Sequence, residues 1–236
     1  MSGACPANSV ISSYIATEDS LLDVLRVVPY CAEHRHVWSP RLVTITLETC
    51  SQLDSLWKYE ARQSPCVTKK DLSIADYFAY YGQYMAPQWL VFYGEEPVML
   101  QPYEEWANAT RYATNQYAGH ETAWWGAYNA LKHNRLENQS AATLEYAIRA
   151  LAGLFLAILR CEFCRNAVAQ TDWLRGDGHN IQANLGEGSP SVKSRYITAE
   201  SRLFTYALGW GNEGASRPLD WEGPCSQRFA DWVSQR

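Results

Sequence analysis

The sequence predicts a mainly α-helical, antiparallel bundle carrying a small inserted β element, and three observations carry that expectation. Apolar residues recur at helical spacing after Ser39-Pro40, an unbroken apolar run fills 150–159, and two β-prone runs flank the turn-forming GEEP. With 236 residues, 47% hydrophobic and 19% charged, the composition is that of a folded chain with a sizeable core. The expected organisation is a single domain over 1–236, with a β insertion at 86–103 and a loop-rich C-terminal region at 170–236.

Charge and cysteine content narrow the function classes. A formal charge of −5 argues against extended DNA binding, which draws its strength from clustered Lys and Arg, while leaving room for a local basic pocket. The apolar run at 150–159 is too short to span a bilayer, and the opening residues lack the charged and apolar regions of a secretory leader. A cytoplasmic protein without a membrane association is therefore expected. The seven Cys are odd in number and scattered, so they read as reduced thiols. Cys161 and Cys164 form a CxxC, but no second ligand pair follows it; no metal or other cofactor is expected.

In chain order, Thr17 reads as the N-cap of a first helix with Glu18 and Asp19 in its first turn, ended by Pro29. The connector after it carries His34, Arg35 and His36. Ser39 and Pro40 then open a second helix, a hydroxyl cap followed by proline in the first turn. Its buried stripe is Leu42, Ile45, Leu53, Leu56 and Trp57. Arg41, Glu48, Ser55 and Arg62, seven apart, line a neighbouring polar stripe, from which Glu48 is placed to meet Lys132 or Arg135 across a helix pair.

The stretch from Asp76 through Tyr84 reads as non-helical and leads into β-prone runs at 89–93 and 98–100, a hairpin that Pro102 confines to a sheet edge. A short helix is expected over 103–117. Residues 173–194, rich in Gly, Asn and Ser, read as a long loop. One strand at 196–208 is expected to join the hairpin, and Phe229, Trp232 and Val233 suit a small terminal helix.

The densest polar cluster lies on the helix that follows Thr122, a candidate N-cap. Trp124, Tyr128, Leu131 and Arg135 share one face, and Trp125, Asn129 and Lys132 lie beside it. His133 is four residues from Asn129. As chemistry, His133 suits a general acid or base, Lys132 and Arg135 suit phosphate, and Asn129, Tyr128, Glu48 and Arg41 suit binding or orientation. Trp124 and Trp125 suit a docking surface for a partner protein or a nucleotide. Adjacent side chains on a helix diverge by about 100°, which separates Lys132 from His133. The connection 136–140 is short enough to make the next helix an antiparallel neighbour, with Ser140 as its cap and a Glu145–Arg149 pair in its first turns.

Residues 39–60 and 122–160, with SPRLVTITLETCSQLDSLWK, a PYEEW element and WWGAYNALKHNR before an apolar helix, resemble a group of bacterial proteins of the HEPN type. The resemblance covers about half of the chain. It implies an all-helical fold and an RNA-directed role in stress, toxin–antitoxin or phage-defence systems, as a metal-independent endoribonuclease or a degenerate relative of one. It also implies a homodimer, because HEPN ribonucleases assemble one cleft from two copies. In such a cleft His moves the 2′-OH proton and Arg stabilises the phosphorane charge. The family's usual Arg-to-His spacing is replaced here by Lys132-His133-x-Arg135. From a different class, the same residues suit a non-catalytic adaptor whose partner is a protein or a nucleotide.

Overall fold

The computed structural model describes residues 6–63, 69–85, 90–92, 98–107, 122–176 and 196–210. Helices α1 (Pro6–Leu25), α2 (Pro40–Gln63), α5 (Ala123–His133) and α6 (Leu144–Arg160) form a bundle, accompanied by the shorter α3 (Ile74–Met85), α4 (Glu104–Ala107) and α7 (Arg165–Ala169). Among the described residues, five strands accompany it: β1 (Leu90–Phe92), β2 (Val98–Leu100), β3 (Leu174–Gly176), β4 (Tyr196–Glu200) and β5 (Phe204–Trp210). The predicted mainly helical class with a small antiparallel sheet is what the chain adopts. Among the described residues, no helix is long and apolar enough to cross a membrane.

Helix α6 is the centre. Every residue from Ala150 to Arg160 is buried, so the helix is enclosed on all sides rather than along one stripe. It starts at Thr143, whose Oγ1 accepts from the Tyr146 N–H at 3.3 Å; the cap is Thr143, not Ser140. Arg149 bonds Glu145 at 3.2 Å, as the spacing predicts, and also Glu104 at 2.7 Å. Against α6 lies α2, opened by Ser39, whose hydroxyl accepts from the Leu42 N–H at 3.2 Å.

Around Trp57 of α2, the rings of Tyr77, Tyr81, Tyr103, Trp106 and Trp125 all have centroids within 4.9–6.0 Å. Much of the chain's high aromatic content is thus spent on one interior cluster. Tyr103 donates to the Gly153 carbonyl at 3.0 Å, and a Cβ at Gly153 would lie 3.1 Å from the same Tyr103 oxygen. Glycine is needed there to let the ring reach the α6 backbone.

Helix α1 starts eleven residues before the predicted Thr17, at Pro6. Its stripe is Ala7, Ile11, Tyr14, Glu18 and Leu21, a helical repeat completed by an alanine, a tyrosine and a carboxylate. Thr17 returns its hydroxyl to the Ser13 carbonyl at 2.8 Å, which is how a threonine sits inside a helix. The stretch read as non-helical is α3. Asp76 accepts from the Ser73 N–H and hydroxyl, each at 2.7 Å, so the third helical residue reaches back to the N-cap N–H, one half of a capping box.

All strand pairs are antiparallel, in the order β2-β1-β5-β4-β3. The hairpin pairs Val91 with Met99, and β2 is an edge. The single strand expected at 196–208 is two strands, with Ser201–Leu203 turning between β4 and β5. That turn is held by Glu18 of α1, which is buried and accepts from Tyr14 Oη at 2.9 Å, from the Leu203 N–H at 3.1 Å and from Ser201 Oγ. Residues 174–176 of the expected loop are strand β3. Residues 108–117 of the expected short helix, 177–194 of the loop and the expected terminal helix lie outside the described residues; of the former, Glu104–Ala107 is helical.

Candidate functional site

The bundle's two helix–helix connections meet at one end. The connector between α1 and α2 is stitched to the start of α6: the Leu144 N–H donates to Val37 O at 2.8 Å and the Glu145 N–H to Arg35 O at 3.1 Å, with a bridge between Trp38 and Thr143. The connection from α5 to α6 passes beside it, and Val43, Leu131 and Ala142 form a small buried cluster joining α2, α5 and that connection. His34 and Arg35, read as part of a solvated connector, are engaged locally: His34 Nδ1 lies 2.8 Å from Pro29 O, and the Arg35 guanidinium sits 5.7 Å above the Tyr30 ring. His36, Val37 and Trp38 are exposed.

Helix α5 divides its candidate residues into two sets. Trp124 is fully buried and donates its indole N–H to Pro102 O at 2.8 Å; Trp125 packs on Trp57 and Tyr128. These indoles fill the interior, so the docking surface expected of Trp124 and Trp125 has no exposed face to act from. Tyr128 is buried as well, with its hydroxyl pushed up to about 12 by burial and then by Asp54 and Cys50. Thr122 stands at the N-cap in extended geometry, but its side chain makes no capping bond.

The other set faces water. Lys132, His133 and Arg135 are exposed and Asn129 is half-buried. The Lys132 ammonium lies 5.5 Å from the Tyr128 ring centroid, which props it against the helix without neutralising it. Arg135 reaches across to α2 and donates to Thr44 Oγ1 at 3.4 Å. Asn138 secures this end by donating to Ala130 O at 3.2 Å and Asn134 O at 2.9 Å. Among the described residues, no carboxylate pairs with Lys132 or Arg135, and the His133 side chain makes no hydrogen bond.

Glu48 does not meet Lys132 or Arg135. It is exposed and accepts from Gln52 at 2.8 Å, lining a groove between α1 and α2. The groove has a volume of about 550 Å³ and is walled by Ser13, Ala16, Thr17 and Ser20 on one side and by Arg41, Thr44, Ile45 and Glu48 on the other. Arg41 closes one end, bonded to Asp23 at 2.8 Å and to Ser20 O at 3.4 Å. Thr44 belongs to both places: it lines the groove and receives Arg135. The structure thus brings Arg41, Thr44 and Glu48 to one groove, which Arg135 reaches only through Thr44, and places Trp124, Trp125 and Tyr128 in the interior toward Trp57, further along α2.

Sequence reasoning missed Trp38, which is 45% exposed beside the α2 cap. Its signal was a lone tryptophan in a polar connector. The CxxC pair is interior: Cys161 and Cys164 are buried, and burial followed by the neighbouring Cys164 thiol drives the Cys161 thiol well up. Among the described residues, no group of His, Cys, Asp and Glu is arranged to hold a metal ion. Comparison with protein-family models, curated proteins and solved structures returned no match.

Proposed function

We propose that this protein is a HEPN-like, RNA-directed protein that holds an RNA strand at the connection end of the bundle, with Lys132 and Arg135 as phosphate ligands. The observation that carries the reading is the set of exposed cations on the last turn of α5 and just beyond it, unpaired with any carboxylate among the described residues, in a chain whose formal charge is −5. Such charges release counterions when they meet phosphate, and Arg135 is already positioned by Thr44. The likeness of residues 39–60 and 122–160 to HEPN proteins supports the same class of ligand and a setting in stress, toxin–antitoxin or phage defence.

Binding is better supported than scission. A general base needs a partner that fixes its tautomer and aim, and His133 has no such bond among the described residues. The test is a labelled single-stranded RNA titrated with protein in EDTA, followed by anisotropy and by gel. Wild type should bind, with Lys132→Ala and Arg135→Ala each reducing the slope of log affinity against log salt by about 0.7, the value per phosphate on a single strand. Cleavage abolished in folded His133→Ala would extend the reading to a metal-independent endoribonuclease. Absence of RNA binding by wild type overturns it, and capture of a specific protein in its place would make the chain an adaptor.

A further inference from the structure

We infer that Trp38 is a stacking platform for an unpaired base of the strand whose phosphates Lys132 and Arg135 hold. The inference rests on the RNA reading above and adds the residue that recognises the nucleobase. Trp38 is bridged to Thr143, its neighbour Val37 accepts from the Leu144 N–H at 2.8 Å, and Ser39 on its other side caps α2. A tryptophan held in this way has little reason to be on the surface. Trp57, Trp124 and Trp125 are 0–4% exposed, whereas Trp38 presents 45% of its surface to water.

A ring carried on a pinned backbone gives up less freedom on binding than one carried on a mobile loop, which favours stacking. Its position matches the phosphate ligands. Thr44, where Arg135 docks, lies one helical turn, about 6 Å, from Pro40, two residues after Trp38. Aromatic face and cations therefore share the bundle end at which both connections meet. That combination, an aromatic surface beside basic side chains, is how single-stranded nucleic acid is held with little dependence on sequence. Leu136, 84% exposed in the next connection, offers a second apolar contact at the same end. A protein partner would also cover apolar side chains, but it would have to supply carboxylates for Lys132 and Arg135; RNA brings the opposite charge with every nucleotide.

The experiment uses a short single-stranded RNA carrying 2-aminopurine, whose fluorescence is quenched on stacking, with the full chain as wild type, Trp38→Leu and Trp38→Phe. Leucine keeps apolar bulk and removes the π face, and phenylalanine restores one; thermal melts establish that both variants fold. Wild type should bind and quench. Trp38→Leu should bind about ten-fold more weakly, within the range measured for loss of one stacked base, with the quench lost and the salt slope unchanged, while Trp38→Phe recovers most of both. Trp38→Leu binding and quenching like wild type would overturn the platform and leave the phosphate reading standing. No RNA binding by wild type, including the case in which it instead self-associates through Trp38, would overturn both.

Discussion

Along the single helix α5, Trp124 and Trp125 are sealed among other rings while Lys132 and His133, two turns later, face water. The polar groups of the two regions differ in the same way. In the interior, the Trp124 indole N–H meets Pro102 O, the Tyr103 hydroxyl meets Gly153 O, and the Glu18 carboxylate gathers Tyr14, Ser201 and the Leu203 N–H. At the exposed end Arg135 touches one threonine hydroxyl, Lys132 leans on a ring, and the His133 side chain makes no hydrogen bond among the described residues. Buried polar groups must be satisfied internally, so their partners record architecture. Exposed charges carry no such requirement, because water solvates them. The comparison predicts that substitutions in the first region cost stability and those in the second cost binding.

The largest effect should come from Trp57→Ala. Five rings surround that indole, and removing it opens a cavity they cannot all collapse into, with an expected loss of about 3–5 kcal/mol in the free energy of unfolding measured by urea titration. A loss below about 1 kcal/mol would mean that the cluster repacks freely, which close-packed interiors do not do. Next is Glu18→Ala, which removes the buried acceptor shared by the Leu203 N–H and the Tyr14 hydroxyl and leaves both only the longer contacts to Ser201 Oγ at 3.3 and 3.2 Å; it should cost about 2 kcal/mol. Hydrogen exchange at Leu203 should accelerate more than exchange in α6, because the damage is local to the β4–β5 turn.

Titration tests the same interior without a substitution. Burial pushes the Tyr206 hydroxyl up to about 12, with Arg160 opposing it, and raises Tyr14 and Tyr103 well above their ordinary range. A raised folded value means the folded state holds the proton more tightly than the unfolded chain does. The contribution is therefore complete below the unfolded value of about 10 and is lost as pH climbs from there through the folded values. The urea midpoint should fall over that alkaline window, with the tyrosinate absorbance of Tyr14, Tyr103 and Tyr206, read as the difference between wild type and each Tyr→Phe variant, appearing together with unfolding rather than before it. Tyrosinate forming in the folded protein at its ordinary pH would show these hydroxyls to be open to water.

How much of this was legible follows the same division. The apolar run at 150–159 announces α6, and Ser39-Pro40 and Glu145–Arg149 are local signals that hold because their partners lie within one turn. The true start of α1 was hidden because Ala7, Tyr14 and Glu18 complete its stripe, and a carboxylate on a buried face is explained only by Ser201 and Leu203, far along the chain. Helix α3 was obscured by its aromatic density, although Ser73 and Asp76 spell its cap. For the site, the basic cluster on α5 and the Arg41–Glu48 stripe were readable. Trp124 and Trp125 suit a docking surface by residue type, whereas their helical spacing with Tyr128 and Leu131 already describes a core stripe. Trp38 stands out locally as a lone tryptophan in a polar connector, but its bridge to Thr143, far along the chain, is encoded by no local pattern.

The smallest expected effect on stability is the sharpest test of the comparison. Lys132→Ala and Arg135→Ala remove exposed charges without a carboxylate partner among the described residues, and each should change the unfolding free energy by no more than about 0.5 kcal/mol. Arg135 gives up only a long hydrogen bond to Thr44, and Lys132 only an exposed contact with the Tyr128 ring face. The pair should be additive, because no carboxylate shared between them couples the two cations. Urea titration of both single variants and the double variant decides it. A double variant that loses several kcal/mol would make these cations part of the architecture, holding the α5 end against α2, and would remove the reason to regard them as reserved for a ligand. A double variant as stable as wild type, assayed beside the RNA titration, separates a charge kept for binding from one kept for folding.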